Sequence, residues 1–413
     1  MKPSLAIVGS GISGLGCAYY LKDKYNIKIY EKEDYAGGHS NTVDVREKEK
    51  TLPIDTGFIV FNKITYPLLV QLFEELGVSY QESDMSFSFY HEDSQLQYHG
   101  SSLNGLFAQR INLLRPAYYR FLLEIHRFNQ QAPKHLPELS PEITLGDYLK
   151  RERYSSDFIE YFLIPMGSAV WSTPAELMFS FPASTLIRFF HNHGFLGLNT
   201  QYQWYTIQGG SREYVRLLRE AIAKKQGRDV FLKTPVRHIE SDGKKIKLYI
   251  KNKSELFDKV ILACHAPDAL KIIKKPSPLQ QELLSAFRYH KNLAVLHHDE
   301  SVMPPLKRIW CSWNYRRKGN LTSTVYYMNR LQKLKTQINY FVSINDYRKI
   351  SPAKIIKTIE YEHPLFDSKA ILYQNRLHEL NKKGPIFFCG AYFRYGFHED
   401  GLWSAKVLSE RLL

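Results

Sequence analysis

Cysteine is scarce and scattered. Cys17, Cys264, Cys311 and Cys389 are the only four in 413 residues, and no C-x-x-C pair occurs. That pattern excludes a disulfide framework and a clustered-thiolate zinc site, so no metal is expected. Cys17, Cys264 and Cys389 lie in apolar segments, where reduced thiols are usually buried. No apolar run reaches the roughly 18 residues that a membrane-crossing helix needs. The N-terminus enters a strand-like run almost at once, which leaves no room for a signal peptide. A cytoplasmic location is expected, with a peripheral position on the inner membrane as an extension of it. Acidic residues are also short: 41 Asp and Glu face 56 Lys and Arg, a net charge of +15. Such an excess suits acidic partners. No nucleic-acid-binding module accompanies it. An anionic lipid surface is therefore the expected partner, weighed against an ordinary solvated basic face.

What is abundant is aromatic. Tyr 28 and Phe 24 bring the aromatic share to 14%, and large flat side chains suit the walls of an apolar pocket as well as a core. The most informative stretch opens the chain. Leu5-Ala6-Ile7-Val8 reads as a buried parallel strand. Gly9, Gly11 and Gly14 follow as G-x-G-x-x-G, with Cys17 to Leu21 continuing as a helix. A second strand, Ile27 to Tyr30, ends on Glu31. Strand, glycine fingerprint, helix, strand and acid in that order form a dinucleotide site. Gly9 allows the turn, Gly11 lets a pyrophosphate approach backbone, and Gly14 lets helix and strand pack closely. Glu31 stands where an acid accepts from a ribose hydroxyl.

Further along, Gly37-Gly38-His39-Ser40 permits a second close backbone approach. Ile54 to Asn62 reads as a short strand between polar turns. Thr65 to Gly77 has helical apolar spacing, with Gly77 as its cap. Phe87–Tyr90 and Gln95–Tyr98 alternate as a hairpin. Pro116 suits the first turn of a helix through Phe128, interspersed with Arg110, Arg115, Arg120 and Arg127, a basic amphipathic pattern seen in core helices and at membrane interfaces. Gln130 to Pro141 reads as a linker. Phe179 to Leu198 is the most apolar run, a candidate wall for an acyl tunnel or plain core. Gly209-Gly210-Ser211 opens a helix from Arg212 to Lys225. His290 to His298 reads as a strand whose paired histidines lack a third metal ligand. Near the far end, Ile386 to Cys389 reads as a buried strand leading into Gly390-Ala391, with a helix starting near Gly401.

The Gly9–Gly14 fingerprint, Gly37-Gly38 with Thr42, Asp55 and Gly57, Val236, the Asp258–Pro267 stretch and the closing Gly390…Gly401 segment together resemble the amine-oxidase and phytoene-desaturase superfamily of flavoproteins. The resemblance implies an α/β fold: a Rossmann-like FAD-binding domain with an inserted mixed α+β substrate domain. It assigns residues 1–63, 204–268 and 380–413 to the first and 64–203 and 269–379 to the second. It implies FAD contacts from Gly9, Ser10, Gly11, Ile12, Ser13 and Gly14, from Glu31 and Lys32, and from Gly37, Gly38, His39 and Ser40. Thr56, Gly57, Phe58, Val236, Ala263, Gly390, Ala391, Gly401, Leu402 and Ser404 complete the implied set. A helix N-terminus beside the flavin would stabilise its anionic reduced form.

The wording D-T-G-F-I-V-F-N, M-N-R-L-Q and G-F-H-E-D-G is similar to a narrower bacterial group that accompanies fatty-acid cyclopropane synthases and related methyltransferases. That likeness implies a lipid or fatty acyl substrate, desaturated by hydride transfer to flavin N5. His398 and Glu399 are the candidates for proton handling, against the alternative that they only cap the last helix. The lysine that amine oxidases place near flavin N5 has only a loose counterpart in Lys291. A double-bond isomerase, an amine oxidase and a lipid-binding escort protein of the same fold are the alternatives. Oligomeric state is open.

Overall fold

A computed structural model describes residues 2–197, 202–227 and 230–413. At its centre lies a five-stranded parallel sheet in the order Val230–Phe231, Asn26–Tyr30, Ser4–Val8, Lys259–Leu262, Ile386–Phe388. Its strands come from three distant parts of the chain, and the inner ones are short apolar runs buried on both faces, with Leu5, Ala6, Ile7, Val260, Ile261 and Leu262 fully enclosed. Ile7, for example, pairs with Ile29 on one side and Ile261 on the other.

The fingerprint fixes the first crossover. Gly9 has φ +103°, and a Cβ there would lie 2.6 Å from the Ala263 carbonyl oxygen. A Cβ on Gly14 would lie 2.0 Å from the Gly9 carbonyl oxygen, so only glycine lets the helix Ile12–Leu21 sit this close to the strand. Against that helix packs the closing helix His398–Leu412: Leu402 and Ala405 fill the space above Gly16. Cys17 and Cys389, 372 residues apart, bring their sulfurs to 3.6 Å in this buried seam.

The second large layer is a seven-stranded sheet. It runs Ile355–Leu365, Arg288–His297, Phe341–Ile344, Leu321–Tyr327, Trp313–Lys318, Phe87–His91, Gln97–His99. The expected hairpin forms, with Phe89 opposite Tyr98. A small sheet joins the layers: Trp204–Ile207 pairs with Phe61–Asn62 and with Tyr80–Ser83. Helices Pro116–His135, Leu145–Arg151, Ile164–Trp171 and Ala183–Asn192 surround the side of this roof.

Three expectations are corrected. The segment read as one strand over Ile54–Asn62 is two: Lys50–Asp55 ends at Asp55, and pairing resumes only at Phe61. The polar Gln130–Pro141 stretch is not a linker throughout. The helix from Pro116 continues to His135, with Ala132 buried beneath it and Pro133 in its last turn. The closing helix starts at His398 rather than near Gly401, because Asp400 accepts the Phe397 N–H at 2.9 Å and so fastens a start three residues earlier. Of the apolar run Phe179–Leu198, Ala183–Asn192 is helix, and Leu198 lies outside the described residues.

Candidate active site

Between the parallel sheet and the seven-stranded roof lies a cavity of about 1110 Å³. Gly9, Ser10, Gly11, Ile12, Ser13, Glu31, Lys32, Gly37, Gly38, His39, Gly57, Phe58, Val236, Ala263, Gly390, Ala391 and His398 all line it. They come from segments up to 389 positions apart (398 − 9).

The polar end is built from backbone. Gly11 caps the opening helix, and a Cβ placed on it would meet nothing within 4 Å. The amides of that first helical turn therefore face open space with the positive end of the helix behind them, which is an anion site. Glu31 is buried and already accepts the Ser10 N–H at 2.9 Å, the Ser10 hydroxyl at 2.6 Å and the Glu33 N–H at 3.0 Å. Three of about four lone-pair positions are used, leaving one for a ribose hydroxyl. Ser10 thus serves the acid through both its side chain and its backbone N–H, while its carbonyl accepts the Gly37 N–H at 3.0 Å and ties in the second glycine turn.

Facing the glycines are residues from the roof. His39 stacks on Tyr361 at 4.9 Å and meets His363 edge-on at 5.1 Å. Its Nε2 is buried without a partner. Burial and the neighbouring imidazoles hold its basicity well below normal. Thr56 does not line the cavity. Its hydroxyl bonds the Asn41 carbonyl at 3.0 Å and the Tyr361 hydroxyl at 2.8 Å, so it positions the ring against His39. His363 has a set tautomer. The Leu293 N–H donates to Asn345 Oδ1 at 2.8 Å, which leaves Asn345 Nδ2 to donate to Asn292 Oδ1 at 2.6 Å. Asn292 Nδ2 then donates to His363 Nδ1 at 2.8 Å, so the ring proton sits on Nε2. Burial pushes its pKa down to about 4, so the ring is neutral at pH 7.

His398 stacks on Phe58 at 3.8 Å, with Nε2 tied to Ser40 Oγ at 2.9 Å and the Tyr214 hydroxyl at 3.0 Å. Burial drives its pKa down to about 3. A neutral ring held by two hydroxyls orients Phe58; it is a weak base. Ser40 sits behind the cavity wall in this cluster. Glu399 is a correction to the expected proton-handling pair. It is buried away from the cavity, where its two oxygens accept the Leu68 and Leu69 N–H groups at 2.9 and 3.0 Å. It caps the positive end of the helix Pro67–Leu76, which begins with Pro67 and has no acid of its own in the first turn.

Three expected cofactor contacts also stand behind the wall rather than on it. Leu402 packs over Gly16. Ser404 accepts the Gly390 N–H at 2.9 Å and so anchors the Gly390-Ala391 turn. Gly401 makes room for Ile12 and Ser13, whose atoms would lie within 2.9 Å of a Cβ there. Gly14 likewise acts through packing. Lys291, the loose counterpart of the amine-oxidase lysine, is exposed and pairs with Glu360 at 2.8 Å. His265, Asp268 and Glu362 bring ligand-type atoms within 4.8 Å of one another, although His265 Nδ1 and Glu362 already share a hydrogen bond of 3.2 Å. His297 is turned away, bonded to Ser343 at 2.8 Å.

Sequence reasoning missed Tyr361, His363, Asn292 and Tyr214. The strand carrying the first two has a readable signal: Glu360-Tyr361-Glu362-His363 alternates acid and ring at period two.

The other end of the cavity is apolar. Met85, Phe87, Met166, Val170, Phe189, Phe195 and Trp313 line it, with Trp171, Phe366 and Phe397. Among the described residues five acids line the cavity, Glu31, Glu33, Asp268, Glu360 and Glu362, on the elements beside the glycine turn and on the roof's edge strand.

A glycine-turn dinucleotide site facing a roofed, ring-lined chamber defines a two-layer flavoprotein fold. The model of the flavin-containing amine oxidoreductases matches residues 12–297, more than half of the chain, and the chain belongs to that family. No curated protein matches the sequence. Among solved structures, wild-type putrescine oxidase bound to putrescine is similar, with a TM-score of 0.72 and 14% identity over 100% of this chain and 99% of that one. Cyclohexylamine oxidase from Brevibacterium oxydans IH-35A is similar at 0.69 and 16% identity, over 100% of each. A CLA-producing fatty acid isomerase from P. acnes is similar at 0.68 and 14%, over 100% and 99%. At these identities the likeness is one of fold. The cofactor is FAD. The chain fits it: the space before Gly11, the single open position on Glu31 and the unpartnered His39 Nε2 lie along one cavity. The protein is an FAD-dependent oxidoreductase of the amine oxidase family.

Proposed function

We propose that the substrate is the acyl chain of a lipid, oxidised to a new double bond, with a methyl-branched or already unsaturated chain as the preferred form. The observation that carries this reading is the wall of the chamber beyond the flavin position. It is built from Met85, Phe87, Phe189, Phe195 and Trp313, and the lining acids stand elsewhere. An ammonium group entering such a wall would lose its hydration without a carboxylate to replace it. An acyl chain gains from the same wall, about 0.8 kcal/mol per buried methylene. The P. acnes isomerase shows that this fold accommodates a fatty acid enzyme.

FAD supplies the hydride acceptor. Gly11 and the helix behind it hold the pyrophosphate, Glu31 the ribose, and Val236 and Ala263 the adenine side. Gly38, His39, Gly57, Phe58, Gly390 and Ala391 form the bed for the ring system. Neutral His39 and His363 offer N–H donors without bringing charge, and the aromatic wall excludes water while it lays the chain down. Chain placement at reacting distance then provides much of the rate. With His398 and Glu399 both committed to structure, the proton lost from the substrate leaves to solvent or to a group on the substrate side.

Anaerobic mixing with lipids tests this. A desaturase bleaches the oxidised flavin spectrum on adding the acyl substrate and yields a chain two hydrogens lighter. An isomerase moves a double bond and leaves the flavin oxidised at the end. Peroxide formed with primary amines, and no reaction with any acyl lipid, would overturn the reading.

A further inference from the structure

The described surface has a concentrated apolar region, far from the glycine turn in sequence. Among the described residues seventeen large hydrophobic side chains are exposed, and six of them fall between residues 103 and 123: Leu103, Ile111, Leu113, Leu114, Tyr119 and Leu123. Leu114 is 80% exposed, Leu103 76% and Leu123 67%. They cover the short turns Leu103–Leu106 and Arg110–Leu114 and the outer face of the helix that starts at Pro116. Side chains this large are not left bare together in a soluble surface without a use.

Charge decides what covers them. Between Asp93 and Glu124 there is no acidic residue, whereas Arg110, Arg115 and Arg120 are all exposed among the leucines. None of these three arginines is ion-paired among the described residues. Arg110 bonds only the Phe107 carbonyl and Asn104, and Arg115 only Asn112. Glu124, the first acid reached, is turned to Ser155 and Arg127. A second copy of the chain is a poor occupant, because a two-fold contact would set arginine against arginine. Leucine tips ringed by unpaired guanidinium groups match the boundary between acyl chains and anionic headgroups.

We propose that residues 103–123 dock the protein on an anionic phospholipid bilayer. No described helix is long and apolar enough to cross a membrane, so the contact is peripheral. The placement also relates to the cavity. Behind the patch, Tyr118 and Phe121 pack with Phe89, Tyr98, Tyr315 and Ala169, and with Phe87 and Trp313 at the margin. Ala169, Phe87 and Trp313 in turn line the apolar end of the cavity. The same packed cluster therefore reaches from the inner side of the helix that carries the patch to the substrate wall.

Vesicle flotation tests the docking with the flavin-loaded protein. Vesicles of phosphatidylcholine with 30% phosphatidylglycerol by design are compared with pure phosphatidylcholine. The expected result is flotation with the anionic vesicles, weakened by salt. Each arginine contributes about fivefold to binding, so R115Q/R120Q loses roughly 25-fold. L114S/L123S removes two side chains worth roughly tenfold each on burial. Both variants keep their flavin absorbance, since neither pair touches the cavity. No flotation of the wild type, or flotation unchanged in L114S/L123S, overturns the proposal. So does concentration-dependent dimerisation that L114S/L123S abolishes. Vesicle binding needs no turnover, so inactivity on acyl chains would refute the proposed chemistry and leave this surface standing.

Discussion

The two ends of the cavity are made in different ways. At the glycine end, recognition is written in backbone: a helix start, a carbonyl too close for any Cβ, and a buried carboxylate held by three donors. At the aromatic end, the wall is made of side chains from at least five separate segments. The first kind tolerates almost no change of residue type. The second kind depends on side-chain size and polarity, and Trp171, Phe189 and Phe366 belong to the core as well as to the wall.

The sharpest way to break the comparison lies within the fingerprint itself. Gly14→Ala puts a methyl 2.0 Å from the Gly9 carbonyl oxygen. Loss of folded, yellow protein on expression is expected. Gly11→Ala meets no atom of the chain, so it should fold with a near-native Tm yet bind FAD roughly ten- to hundredfold more weakly, the worth of charged hydrogen bonds of about 1.5–3 kcal/mol. Flavin titration by fluorescence separates the two. Equal behaviour of both variants would remove the distinction between packing glycine and contact glycine.

At the opposite end, Val170→Asp places a carboxylate on the apolar wall. FAD should be retained, while kcat/KM on an acyl lipid falls by about tenfold or more, the cost of laying a methylene chain beside a charge. A smaller effect is expected from Glu399→Gln. It weakens two N–H contacts at a helix start, for about 1–2 kcal/mol, and lowers Tm by a few degrees with kcat unchanged. A fall in kcat with Tm unchanged would restore Glu399 to the chemistry.

The last expected effect is a change of slope rather than of level. Burial raises the pKa of Asp400 from 3.8 to about 7. Between those values the folded protein holds a proton that the unfolded chain has released. Stability from this group therefore falls as pH rises from about 4 to about 7. Asp400→Asn keeps an acceptor for the Phe397 N–H and should flatten Tm against pH between about 4 and 7.

How legible each end was follows from the same contrast. The strand Ser4–Val8, the helix Ile12–Leu21, the acid Glu31 and the Gly77 cap are local: each announces itself within a few residues of its neighbours. The Gly390-Ala391 turn was also visible, since its glycine follows a buried apolar run. Tyr361 and His363 were not, because their place depends on an edge strand with a single buried residue and a pairing partner some 70 positions earlier. Glu399 was misread for a related reason. An acid near a helix start looks the same whether it faces a cavity or, as here, caps another helix 330 residues away. The run through Ala132 and Pro133 shows that burial of one residue holds a helix past polar composition.

The seam between the opening and closing helices bears on how the protein is made. Cys17 and Cys389 meet in it, and Ser404 holds the turn at Gly390. While a ribosome is still extending the chain, the nucleotide cradle exists but its far wall does not. The wall at Gly390 is complete only once Ser404 holds it, so the flavin chamber closes with the last helix to be made.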